Sequence, residues 1–208
     1  MTRPNPRLAA PGLLALALAA ALPAAAQAPA GPTVVRGSVA ALTDTTLTVK
    51  PERGGPAQVV TLAPTWTVAV MKPVAIDAIQ PGSFIGTAEM PAKNGTGRSL
   101  EVHVFPPGVK MGEGHYGWDL KPGSMMTNGT VGKVMAGKRG SRELDVAYSY
   151  GTRHIVVPAS VPVVQITGGQ RSQVKPGVPV FMVVQKGPAG ALTAGSVSIG
   201  ENGAKPPM

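Results

Sequence analysis

The sequence predicts an all-β protein made of two small, OB-like β-barrel units in tandem, and three observations carry that prediction. Short runs rich in Val, Ile and Thr recur along the chain, each bounded by Gly, Pro or Asp. The order of these runs is then repeated with a period of about 95 residues. Gly (27) and Pro (22) are abundant while aromatics are only 4% of the 208 residues, so turns are plentiful and large core anchors few. Short strands with tight turns leave sheet edges that must be closed or covered, and small barrels remove those edges.

Residues 1–26 read as a secretory signal peptide. Arg3 and Arg7 precede the apolar run 12–22 and the small-residue site Ala24-Ala25-Ala26, with cleavage expected after Ala26. That run is shorter than the roughly 20 residues that a permanent span requires, and no second run of that length follows. Cysteine is absent, which excludes both a disulfide and a lipid-modified N-terminal Cys. With Arg3 and Arg7 removed, 17 basic residues face 10 acids, so the charge falls from +9 to +7. The expectation is an exported basic protein, periplasmic or secreted, with anionic surroundings.

A Pro/Ala/Gly linker at 27–32 leads into the first barrel repeat, 33–105. Its strands are expected at 34–40, 46–50, 58–62, 67–71, 84–89 and 100–105, with one helical turn at 74–79. The second repeat, 128–200, has matching landmarks: Gly37-Ser38-Val39 with Gly129-Thr130-Val131, Leu47-Thr48-Val49 with Leu144-Asp145-Val146, and Ile79-Gln80-Pro81-Gly82 with Val174-Lys175-Pro176-Gly177. Val102-His103-Val104 then matches Val197-Ser198-Ile199. Each Pro-Gly pair fits a tight turn, since Pro presets its backbone angle and Gly accepts positive φ. The tail 201–208 has no periodicity and is expected to fray.

Several blocks carry a family resemblance. VRGSVAAL with TTLTV, IQPGSFIG, SLEVHVFP and GEGHYGWDLKPGSMMTNGTV, occurring in this order, resemble bacterial exported proteins of domain of unknown function 5666. The resemblance implies a secreted or periplasmic β-rich module and brings no catalytic residue with it.

Between the repeats lies a Gly-rich connector, 106–127, without a strand pattern and without a counterpart in either half. Two readings of it stand side by side. His103, Glu113, His115 and Asp119 are ligand types for zinc or copper, with Met111, Met125 and Met126 as soft donors for reduced copper. In the other reading the stretch is an ordered joint in which Tyr116 and Trp118 fill the groove between barrels; a small-molecule or peptide pocket is a third possibility. Catalysis has the least support. There is no GxSxG, HExxH or phosphate loop, and a Ser124–His115–Asp119 arrangement would rest on three common residues of one loop. Lys133, Lys138, Arg139, Arg142 and Arg153 fall on or near the first hairpin of the second half and the strand that follows, a basic patch suited either to solvation or to an anionic envelope component. Few aromatics accompany it, which disfavours nucleic acid. Taken together, the sequence points to a non-enzymatic binding or structural module of the envelope, partnered by an envelope protein or anionic component, with a periplasmic copper- or zinc-binding protein as the alternative.

Overall fold

A computed structural model of the chain describes Met1 and residues 31–208; the expected signal peptide and linker residues 27–30 lie outside the described residues. The fold is all-β. The strands are β1 (Thr33–Leu42), β2 (Thr46–Pro51), β3 (Gln58–Pro73), β4 (Phe84–Pro91), β5 (Gly97–Ser99), β6 (Val102–Val104), β7 (Gly114–Gly117), β8 (Met125–Ala136), β9 (Arg142–Tyr148), β10 (Gly151–Val157), β11 (Val163–Gly169), β12 (Pro179–Lys186) and β13 (Leu192–Gly200).

Five of them close a barrel. β1 pairs with β2, β2 with β3, β3 with β13 in parallel, β13 with β12, and β12 with β1. The remaining strands contain a second circuit of pairings, β8-β9-β10-β5-β4 and back to β8, in which the short β5 runs parallel to β10. β11, antiparallel to β3, and β6, parallel to β11 and antiparallel to β4, join the two circuits. Each circuit encloses its own apolar core. Leu47, Val49, Val60, Met182 and Val197 belong to the first, and Ile85, Val131, Leu144, Val146 and Ile155 to the second. A third cluster of Met71, Ala88, Trp118, Met126, Val164, Phe181 and Met208 lies apart from both.

This corrects the expected domain bounds. Neither circuit belongs to one half of the sequence: β12 and β13 close the barrel begun by β1–β3, and β4 and β5 close the circuit begun by β8–β10. The Pro-Gly turns reach across in the same way. Gly177 N–H donates to Val39 O (2.8 Å) and Val39 N–H to Val178 O (2.9 Å), while Gly82 N–H donates to Val131 O (2.7 Å) and Val131 N–H to Ser83 O (2.8 Å). Gly82 and Gly177 have φ of 84° and 88°, the positive values that a Pro-Gly turn needs at its second residue. The first strand of each half also breaks register just after the valine concerned, between Val39 and Ala41 and between Val131 and Lys133.

Other expectations change in detail. Strands expected at 58–62 and 67–71 are one strand, β3. Leu62 pairs with Ala194 and Thr67 with Ser196, so Pro64, which cannot donate to a ladder, sits in a bulge rather than ending the strand. The strand expected at 100–105 is the shorter β6, and β5 before it was not expected; between them Glu101 is buried, its Oε1 accepting the Ala88 amide at 2.7 Å. The helical turn at 74–79 is the 3-10 turn Ile76–Ala78. The tail does not fray. Met208 is buried in the third cluster, and burying a methionine side chain contributes about 1.5–3 kcal/mol, while Pro206 and Pro207 limit the entropy lost on docking.

Candidate functional site

The connector is not without a strand. Gly114–Gly117 forms β7 along β8, with His115 opposite Thr127 and Tyr116 opposite Met126. The chain can add this strand because β8 offers an open edge there and three glycines flank the short run. Trp118 then enters the third cluster with Phe181 (ring centroids 6.2 Å apart), and Tyr116 packs on it at 6.4 Å. Both aromatics therefore pack into the third cluster. The Tyr116 hydroxyl accepts from Asn128 Nδ2 (2.8 Å) and donates to Gly112 O (3.2 Å). Its burial, with Tyr150 adding to the effect, pushes its ionisation up to about 12.

The four ligand candidates are not brought together. His103 is buried, its Nδ1 3.2 Å from Glu101 Oε2 and its ring edge-on to Phe105. His115 Nδ1 is 2.8 Å from Thr127 Oγ1. Asp119 Oδ2 pairs with Arg36 Nη1 at 2.8 Å, and Glu113 is exposed. Strand alternation explains the separation of the histidines. His115 follows Thr127, whereas the His103 ring and the Asn128 side chain both crowd the Cβ position of Gly86. Thr127 and Asn128 are consecutive on β8 and face opposite ways. Among the described residues no three His, Asp or Glu side chains are grouped to hold a metal ion. The methionines are equally dispersed: Met126 is buried in the joint, Met125 half-buried and Met111 exposed.

Ser124, His115 and Asp119 do not form a relay either. The Ser124 hydroxyl accepts from Lys121 N and donates to the Trp118 carbonyl at 2.9 Å, closing the turn before β8.

Sequence reasoning overlooked a buried polar group centred on Glu89. Its side chain is 0% exposed and Oε1 accepts from Arg153 Nε at 2.7 Å. Arg153 also donates to Gly95 O (2.7 Å) and Thr96 O (3.2 Å), binding the β4–β5 turn to β10. Burial raises the Glu89 pKa, and the Arg153 hydrogen bond and charge only partly oppose it. His115 Nδ1 lies 4.0 Å from Glu89 Oε1. Burial, and then the Arg153 charge, lower the His115 pKa, so the contact is one between a carboxyl and a neutral ring rather than an ion pair. The signal in the sequence was a single acid inside the apolar run FIGTAEM.

The basic patch is accordingly smaller than expected. Arg153 turns inward to Glu89, and Arg142 pairs with Asp77. Lys138 and Arg139 stand exposed at the 3-10 turn Lys138–Gly140, with Lys133 exposed farther along β8.

The open space lies elsewhere, where the connector, the barrel rim and the tail meet. A groove of ≈ 680 Å³ is lined by Arg36, Arg53, Asp119, Leu120, Pro206 and Met208 among others. Arg36 Nε donates to Met208 O (2.8 Å), Arg53 Nη2 donates to Asp119 O (2.7 Å), and Lys205 pairs with Glu52. The Arg36 guanidinium lies 5.4 Å from the Trp118 ring centroid and 5.3 Å from that of Phe181. Among the described residues, Arg36 Nη2 and Trp118 Nε1 are buried donors without a protein partner. Such a surface, with fixed donors beside an apolar socket, is suited to holding an extended chain.

No protein-family model matches the chain, and no curated protein or solved structure matches it. Among the described residues no helix is long and apolar enough to cross a membrane.

Proposed function

We propose that this chain is a non-enzymatic binding or structural module of the bacterial envelope, exported by means of residues 1–26 and akin to the domain of unknown function 5666 proteins that its motifs resemble. The observation that carries this reading is the groove beside Lys205–Met208. It is the open surface of the joint, whereas the histidines and acids able to do chemistry are engaged in internal contacts: Glu101 with His103, Glu89 with Arg153, His115 with Thr127, Asp119 with Arg36. We also read the fold as an internal duplication of an OB-like unit whose last strands are exchanged between copies. The reciprocal Pro-Gly bonds, the register breaks after Val39 and Val131, and the parallel closures β3–β13 and β10–β5 support that origin.

Fractionation of cells producing the full chain tests the function. The expected result is a mature N-terminus at Gln27 and retention of the protein by isolated envelopes, reduced at high salt if Lys133, Lys138 and Arg139 contribute. A retained Met1, or free passage through envelope sediment at every salt concentration, would sink the reading. Zinc or copper at His103, Glu113, His115 and Asp119 is the competing proposal, and it would require His103, His115 and Asp119 to leave their present partners. Calorimetric titration with zinc and with both copper oxidation states decides it: micromolar binding lost in His115→Ala would put metal in first place.

A further inference from the structure

Asparagine stands before glycine at three places, Asn94-Gly95, Asn128-Gly129 and Asn202-Gly203. Glycine has no Cβ, so its nitrogen meets the least hindrance in reaching the carboxamide carbon of the residue before it. To reach that carbon, the peptide between them must first turn about the asparagine ψ. What separates the three sites is therefore what holds that peptide.

Two of them are held. Asn94 Oδ1 accepts from Thr96 N (3.3 Å) and Thr96 Oγ1 (2.8 Å), and Gly95 N–H donates to Ala92 O (3.0 Å) while Gly95 O accepts from Arg153 Nη1 (2.7 Å). Asn128 is buried, with Nδ2 donating to Gly112 O and to the Tyr116 hydroxyl, both at 2.8 Å. Gly129 lies opposite Ile85 in the β4–β8 ladder, so turning the Asn128 ψ would break strand pairing. Asn202 is different. It is exposed on the 3-10 turn Glu201–Gly203, in the left-handed region (φ 54°, ψ 29°), and among the described residues no side chain caps the turn. A Cβ on Gly203 would meet nothing within 4 Å.

This turn also sets the course of the tail. Ala204 N–H donates to Glu201 O (3.0 Å), and Ala204 O packs so close to Gly200 that a Cβ there would fall 2.0 Å away. Lys205 then pairs with Glu52, and Met208 is buried in the third cluster with its backbone oxygen accepting from Arg36 Nε (2.8 Å).

We propose that Asn202-Gly203 is a self-modification site that times the release of this tail. Gly203 N attacks Asn202 Cγ, the carboxamide nitrogen leaves as ammonia, and a cyclic imide forms. Water then opens the ring. Breaking the new N–Cγ bond leaves aspartate at 202; breaking the original C–N peptide bond routes the main chain through Cβ and Cγ and leaves isoaspartate. Either product places a carboxylate beside Glu201, and isoaspartate also adds a methylene to the main chain inside the turn. The close fit of Ala204 to Glu201 and Gly200 does not survive that lengthening, so the tail leaves and frees Arg36 Nε. The proposal stands independently of the envelope reading.

The test ages the full chain at pH 8, folded and in urea, and maps it by mass spectrometry with fragmentation that separates aspartate from isoaspartate. In the folded chain Asn202 should lose its amide at least about tenfold faster than Asn94, a barrier difference of about 1.4 kcal/mol, and Asn128 should be slowest. In urea, where the folded restraints are gone, the three rates should draw together. The Met208 methyl resonance should leave its folded position in proportion to the isoaspartate formed. It should not drift in Asn202→Gln, whose longer side chain closes the ring poorly. Equal rates at Asn94 and Asn202 in the folded chain, or an order that persists in urea, would overturn the site. Isoaspartate at 202 with the Met208 resonance unmoved would overturn the release.

Discussion

Replacing Arg153 by Met tests how the second circuit is held shut. Arg153 is 17% exposed and Glu89 0%, so the substitution leaves a carboxyl with no opposite charge and no route to water. Removing one partner of a buried pair costs about 3–5 kcal/mol. The carbonyls of Gly95 and Thr96 lose their donors too, although they can turn to solvent at the β4–β5 turn. In a chain of this size each kcal/mol moves the midpoint by about 2–4 °C, so the melt should fall by about 6–20 °C at pH 7. The pH dependence has a definite sign. The folded-state pKa of Glu89 is raised above its unfolded value, chiefly by burial. Its contribution is therefore fully present below the unfolded carboxyl range and is lost as pH rises through the folded value. Without Arg153 the folded value climbs further, so the penalty should shrink as pH is lowered from 7 toward 5. Glu89→Gln should flatten this dependence, and Arg153→Met with Glu89→Gln should be more stable at pH 7 than Arg153→Met alone. Scanning calorimetry across this pH range supplies the measurement. A melt of Arg153→Met within about 2 °C of the unaltered chain at pH 7, or a penalty that grows on acidification, would refute the reasoning.

Three further outcomes follow from the packing. Trp118→Ala should cost about 3–5 kcal/mol in urea denaturation, because the ring fills the cluster shared by Met71, Met126 and Phe181; a loss under about 1 kcal/mol would mean the joint is not cohesive. Gly86→Ala should cost about 1–3 kcal/mol, since its Cβ would fall 2.0 Å from His103 Nε2 and 2.3 Å from Asn128 Oδ1. Gly195→Ala, whose Cβ meets nothing within 4 Å, serves as the control and should stay near the unaltered chain. Fragments 31–113 and 114–208 should each lack a cooperative melt and should regain one when mixed, because each circuit draws strands from both; independent cooperative melting of either fragment contradicts this strand pairing.

Strand positions were legible because Val, Ile and Thr runs end at Gly, Pro and Asp, and a reader of pattern needs nothing more. Pro64 misled because proline ends a regular strand but is accommodated in a bulge, and the pairing that creates the bulge comes from β13, far along the chain. The long-range closure of each circuit was invisible for the same reason: Val39 to Val178 and Val131 to Ser83 are contacts between positions that local pattern cannot relate. The joint was legible through Trp118 and Tyr116, as large aromatics in a chain that has few must fill something. The histidines looked like ligands by residue type, yet the faces they occupy depend on which neighbour they follow, Thr127 or Asn128. Glu89 and Arg153 were read as strand and surface because nothing local announces that they meet.

Circuits closed by strands distant in sequence also set a timetable for folding. Residues 33–105 emerge first from the ribosome with β1–β3 and β4–β5 made, but each set lacks the partners that would close it: Thr33 pairs with Val184, and Phe84 with Thr130. The second core cannot be sealed until β10, ending at Val157, is available, and the first not until β13, ending at Gly200. Contacts this distant in sequence impose a large loop-closure entropy before any reward, and proteins dominated by them fold in milliseconds to seconds rather than microseconds. A chain so arranged stays open for as long as its second half is withheld, which keeps it threadable.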